Sequence, residues 1–181
     1  GPARPPPRAR ACRARLGGGR GFPVGRLDFD TDGLLLLTND GDLAFRLMHP
    51  SYRVPKTYAA RVAGVPSRTA LEKLARGPRL EDGPTQPCEV AFLRATKGEA
   101  LLEITVTEGK KRQVRRMCKS VGHPVLALTR VRYDGISLGR LPSGRWRRLT
   151  PSEVDGLRRA VGLGGPAAAR PRPPATRPRP P

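Results

Sequence analysis

Large apolar side chains are confined to the middle of this chain, and that confinement limits where a core can form. Residues 1–21 read GPARPPPRARACRARLGGGRG, and the chain from Gly164 reads GGPAAARPRPPATRPRPP. Proline, arginine and glycine dominate both stretches, so neither can bury enough apolar area to offset the ordering of its backbone. Residues 1–22 and 164–181 are therefore expected to be disordered or partly polyproline II, with one folded domain over residues 23–163. A chain of 181 residues is long enough for one sizeable core and short for two full domains.

The formal charge of +20 points to a polyanionic partner, and nucleic acid is the default reading. The two ends supply ten arginines and no acid; without them the middle still carries +10. Cys12, Cys88 and Cys118 lack metal-like spacing and read as free thiols of a reducing compartment. No apolar run approaches the ~18 residues that a membrane span needs. The N-terminus shows no apolar signal-peptide core. These features give the expectation of a cytoplasmic protein, monomeric, without membrane or metal.

Between the ends the pattern is that of a folded domain. Leu34–Leu37 reads as a buried strand ending at the turn signal Thr38-Asn39-Asp40-Gly41. Asp42–Met48 suits a short helix, and Lys56–Ala63 alternates like a strand. Ser67 can cap a helix over Arg68–Arg76, stopped by Gly77. Glu89–Ala95 and Ala100–Glu108 read as a hairpin around Lys97-Gly98. Lys111–Val121 has helical spacing at Val114, Met117, Cys118 and Val121. Val125–Val131 and Trp146–Leu149 read as strands, and Thr150-Pro151-Ser152-Glu153 as a capping box opening a last helix to about Val161. Hairpins outnumber βαβ units, so the expected class is α+β with a mostly antiparallel sheet and flanking helices.

Acidic residues concentrate in VGRLDFDTDGLLLLTNDGD, residues 24–42. Turn chemistry accounts for Asp30, Asp32, Asp40 and Asp42. A calcium loop starting at Asp28 fails, because its twelfth position would be Asn39 and leucines would fill its second half. Two histidines and three scattered cysteines form no zinc ligand set. His123 before a proline reads as structural, and Trp146 as a packing residue.

The same segment carries Gly25-Arg26-Leu27-Asp28, then Thr31, Gly33 and the leucine run into Thr38-Asn39-Asp40-Gly41. Further along come His49-Pro50, Lys56-Thr57-Tyr58, Leu80-Glu81-Asp82-Gly83 and Thr107-Glu108-Gly109. Arg112-Gln113-Val114-Arg115-Arg116-Met117, Val121-Gly122-His123-Pro124-Val125, Arg130, Leu138-Gly139, Leu141, Gly144 and Arg147 to Thr150 complete the series. In this order, over roughly residues 23–162, the chain resembles the pseudouridine synthases, and within them the RsuA/RluB/RluE/RluF family that modifies ribosomal RNA.

The resemblance implies roles. Asp28 matches the catalytic aspartate, Tyr58 the tyrosine beside the target base, and Arg115 the basic residue that pairs with that aspartate. Leu128 matches an apolar residue of the pocket, and Arg26 falls near the RNA backbone or the gap left by a flipped nucleotide. Lys56, Lys110, Lys111, Arg112, Arg116, Lys119 and Arg130 are the expected RNA contacts. The implied reaction converts a uridine, by resemblance one in 23S ribosomal RNA, to pseudouridine. It breaks an N–C glycosidic bond, turns the base and forms a C–C bond at the same sugar carbon. A carboxylate can serve as nucleophile or as base. Neither redox change nor group transfer occurs, so no cofactor and no metal are expected.

Members of this family usually begin with a small S4 RNA-binding domain, followed by an opening strand with a Lys-Pro-Gly-type segment. Here the Arg/Pro/Gly stretch stands in their place. The alternative reading is therefore a noncatalytic RNA-binding protein derived from a synthase. Retention of Asp28, Tyr58 and Arg115 together favours the enzyme.

Overall fold

In a computed structural model of the chain, residues 15–16 and 19–164 are described. In chain order the strands and helices are β1 (Arg15–Leu16), β2 (Gly19–Arg20), β3 (Phe22–Pro23), β4 (Thr31–Gly33), β5 (Leu37–Thr38), α1 (Gly41–Met48), β6 (Lys56–Ala63) and α2 (Arg68–Ala75). There follow β7 (Arg79–Leu80), β8 (Gly83–Pro84), β9 (Glu89–Thr96), β10 (Glu99–Val106), α3 (Gln113–Ser120), β11 (Val125–Tyr133), β12 (Ile136–Ser137) and α4 (Pro151–Ala160). The class is α+β, as expected. The main sheet runs β12-β11-β6-β10-β9 with antiparallel neighbours, and β4 lies parallel against β11.

Alternation along β6 and β10 builds the first core. Ala60 and Val62 of β6 and Ala100, Leu102, Ile104 and Val106 of β10 share one face, and Leu74 of α2 and Val114, Met117 and Cys118 of α3 cover it. A second core gathers Leu43, Ala44 and Leu47 of α1, Leu157 of α4, and Val24, Leu34, Leu36, Tyr133 and Ile136. Strand β11 joins the two, with Leu128 in the first core and Tyr133 in the second. Asp40 caps α1 and also accepts from Arg158 of α4 at 2.7 Å, tying those helices together. The capping box at α4 is formed: the Thr150 hydroxyl accepts from Glu153 N at 3.2 Å, and Thr150 N donates to the Glu153 carboxylate at 2.8 Å.

The leucine run departs from expectation. β4 ends at Gly33, and only Leu37 of the run lies in a strand, β5. Gly33 has φ +110°, and a Cβ there would stand 2.3 Å from the Arg130 carbonyl oxygen. The chain thus passes hard against β11 and turns, and Leu34 and Leu36 enter the second core instead of continuing a ladder. Trp146–Leu149 forms no strand, and Trp146 is 51% exposed where packing was expected. Within the segment expected to be disordered, β1 and β2 pair antiparallel. The rest of residues 1–18, with Cys12, and residues 165–181 lie outside the described residues. Cys88 and Cys118 are free thiols, pushed up by burial to about 11 and about 12.

Candidate active site

Asp28 stands in the loop between β3 and β4. The loop is anchored at its start, where Val24 is buried and its N–H donates to Leu36 O at 2.9 Å. It closes with a turn in which Thr31 N donates to Asp28 O at 3.0 Å. Thr31 then stands in register with Leu128 on β11, Leu128 with Ala60 on β6, and Arg130 with Tyr58. Tyr58 also faces Ile104 across β10. Directly opposed residues share a face, so Tyr58, Leu128 and Thr31 lie on one face of the sheet, and half-buried Asp28 opens the turn that leads into Thr31. The β4–β11–β6 pairing thus sets the strand that follows the Asp28 turn beside the one carrying Leu128, and that strand beside the one carrying Tyr58.

Arg115 is placed beside this loop, but its partner differs from the expected one. Its Nη2 donates to the Asp30 carbonyl, its Nε lies 3.4 Å from Asp30 Oδ2, and its Nη1 donates to Val125 O at 3.3 Å. Arg112 forms a two-pronged pair with the same Asp30 carboxylate, at 2.7 and 2.8 Å. Arg112 and Arg115 therefore close on Asp30, not on Asp28. The turn explains the exchange: Phe29 and Asp30 occupy its two corners, and Asp30 is the corner carboxylate that meets α3. Hydrogen bonds from Arg112, with the charge of Arg115 adding, hold the Asp30 carboxyl below its ordinary value. Asp28 enters the same field: the Arg112 guanidinium is raised first by Asp30's hydrogen bonds and further by the charges of Asp30 and Asp28.

The other expected RNA contacts divide into three groups. Arg116 makes a two-pronged pair with Asp82 at 2.9 and 3.0 Å, and Lys110 Nζ donates to Pro84 O at 2.8 Å, 3.9 Å from Asp82 Oδ1. These side chains fasten the turn between β7 and β8 to α3. Arg130 lies inside the fold and Lys56 is half-buried. Arg130 is 2% exposed and donates from Nε to Leu34 O at 2.8 Å, while Lys56 Nζ donates to Val54 O at 3.1 Å. Both cations flank the Tyr133 ring, at 5.2 and 5.4 Å from its centroid. Burial, with the charge of Arg130 adding, pushes the Lys56 ammonium down to about 8. Arg26, Lys111 and Lys119 are exposed. His123 bonds Ala63 O at 2.8 Å through Nδ1, in keeping with a structural role.

Sequence reasoning missed Asp30 and Asp82 as counter-ions. The available signal was the run of arginines at 112, 115 and 116 together with acids in two other motif segments, Leu27-Asp28-Phe29-Asp30 and Leu80-Glu81-Asp82-Gly83. It also missed Phe29, which is 82% exposed beside Asp28. Among the described residues no group of three or more His, Cys, Asp or Glu is placed to hold a metal ion.

The family model described as RNA pseudouridylate synthase matches residues 6–120. That match starts inside the Arg/Pro/Gly-rich segment, upstream of the motifs read from the sequence. The chain is 49% identical over 139 residues to ribosomal large subunit pseudouridine synthase B of Bacillus subtilis, covering 76% of this chain and 57% of the relative. It is 45% identical over 141 residues to ribosomal large subunit pseudouridine synthase E of Xanthomonas campestris, covering 70% of this chain and 75% of that relative. A crystal structure of a pseudouridylate synthase superposes with a TM-score of 0.74 at 32% identity, over 83% of this chain and 64% of that one. The chain thus spans little more than half the length of relatives such as the Bacillus protein.

Proposed function

The chain belongs to the RNA pseudouridylate synthase family, and on that premise we propose that it isomerises a uridine of large-subunit ribosomal RNA, the 23S species, to pseudouridine. The single observation that supports this reading is the parallel pairing of β4, which directly follows the Asp28 turn, with the β11 segment that carries Leu128 and pairs with the strand of Tyr58. Asp28 acts on the glycosidic centre as nucleophile or base. Tyr58 supplies a flat ring for the detached uracil, and Leu128 an apolar wall that keeps it from drifting away. Arg115, with Arg112, holds the loop through Asp30, so that Asp28 meets the substrate in a fixed orientation. The target uridine must leave its stack to reach this face, which costs a few kcal/mol that the pocket offsets. The substrate and product are isomers, so the reaction is proposed to need no cofactor.

Release of tritium from ribosomal RNA labelled at C5 of uridine measures the turnover. The chain as it stands should release tritium, and Asp28→Asn should not, while RNA affinity stays within about threefold. Retention of more than a few per cent of the rate in Asp28→Asn would remove Asp28 from the chemistry. RNA binding without any turnover in the unaltered chain would leave the noncatalytic reading.

A further inference from the structure

Phe29 is the most exposed large apolar side chain among the described residues, at 82%, and it directly follows Asp28. Its exposure is built in. The turn closed by Thr31 N and Asp28 O puts Phe29 at one corner and Asp30 at the other. Asp30 is then locked by Arg112 and Arg115. A loop free to move could fold an aromatic ring back onto the nearby cores; this one is held from both sides, so the ring stays in solvent. Charges of both signs stand close by in the chain: Asp28 and Asp30 flank the ring, Arg26 is exposed three residues before it, and Arg112, 41% exposed in its side chain, pairs with Asp30. An outward aromatic ring on a turn that an arginine holds suits a nucleobase next to a phosphate backbone, since every base presents a π-face and every phosphate a negative charge.

We propose that Phe29 is a stacking platform for a base adjoining the target uridine. This rests on the catalytic reading of Asp28, whose neighbour in sequence the ring is. When the target nucleotide swings out, its neighbour loses one stacking partner. Phe29 replaces that partner at the rim of the pocket, so the cost of unstacking is partly recovered where the reaction takes place. The platform is sequence-tolerant, because stacking reads no hydrogen-bonding edge.

The test uses the full chain carrying Asp28→Asn, so that no turnover disturbs the reading. The probe is a single-stranded RNA with one uridine and 2-aminopurine on its 5′ or its 3′ side. Quenching of the 2-aminopurine on one side is expected on binding. Adding Phe29→Ala or Phe29→Leu should abolish the quench and weaken binding by roughly tenfold, whereas Phe29→Trp should preserve both. The melting temperature should be the same for all of these variants. Three results would overturn the proposal: no quench on either side, a leucine as effective as phenylalanine, or a lower melting temperature for Phe29→Ala, which would mean that the ring packs on protein. Tritium release by the chain with native Asp28, with and without Phe29→Ala, is measured separately. Its absence in the native chain would sink the catalytic reading while leaving the quench to judge Phe29.

Discussion

Asp28 and Asp30 lie two residues apart in one turn, and the fold gives them different tasks. Asp30 takes Arg112 and Arg115, whereas half-buried Asp28 takes neither. Arg112 adopts a left-handed backbone, φ 50° and ψ 35°, as the residue that caps the start of α3, a conformation costly for a side chain of its kind. The two-pronged pair with Asp30 is the visible compensation. Asp30→Asn keeps the shape and removes the charge, so it should lower kcat by tenfold or more through misplacement of Asp28, with RNA affinity little changed. The folded carboxyl is held below its ordinary value, so the pair is complete above roughly pH 4 and lost only as pH falls further. The defect should therefore be the same from pH 6 to pH 8. A defect that grew or shrank across that range would point to Asp30 titrating in the reaction itself. Asp30→Glu should recover part of the rate; no recovery would mean that the charge alone does not suffice without the aspartate's length.

The elements show how far a sequence pattern reaches. Wherever one local signal decided the outcome, the element was legible: the β9–β10 hairpin at Lys97-Gly98, the Ser67 cap of α2, the capping box of α4. Leu34–Leu37 misled because its apolar character is set by burial in the second core, and its end as a strand is set by the approach of Gly33 to Arg130. No local pattern carries that approach. Helix α3 shows the same limit for the site. Its basic face was legible, but the partners of that face were not, since Asp30 and Asp82 are distant in sequence. This changes which side chains should feel phosphate. Arg112 and Arg116 are engaged by Asp30 and Asp82, whereas Lys111 and Lys119 are exposed. Replacing Lys111 and Lys119 with Ala should lower the slope of log affinity against log salt by roughly 0.7 per lost contact, with an unchanged melting temperature. Arg116→Ala should lower the melting temperature by loosening the β7–β8 turn. If titrations at several salt concentrations show the slope following Arg116 instead, the exposed lysines are only solvated surface.

At the scale of the whole molecule, the site lies on the seam between two cores. Tyr58 and Val125 pack on the first core, of which Leu128 is part, and Arg115 reaches from the helix that covers it. The Asp28 loop is held by the second, through Val24 at its start and Leu34 and Leu36 after β4. Three residue pairs of parallel ladder, Thr31 to Gly33 against Leu128 to Arg130, join loop to sheet, with Leu34 bonded to Arg130 just beyond them. Loosening the second core should thus free Asp28 while leaving the Tyr58 face in place. Leu47 is 2% exposed in that core, and its backbone carbonyl accepts from the Tyr133 hydroxyl at 2.8 Å. Leu47→Ala should cost about 2–5 kcal/mol. It should lower turnover well below the fraction of molecules still folded, because local opening of the loop precedes global unfolding. Met117→Ala empties comparable volume in the first core, where Met117 is fully buried. It should lower turnover only in step with unfolding. Amide hydrogen exchange gives the direct reading: in Leu47→Ala the amides of Thr31 and Leu34 should lose protection while those of β6 and β10 keep theirs. Equal loss in both cores would mean that the domain opens as one unit and that the seam has no independent motion.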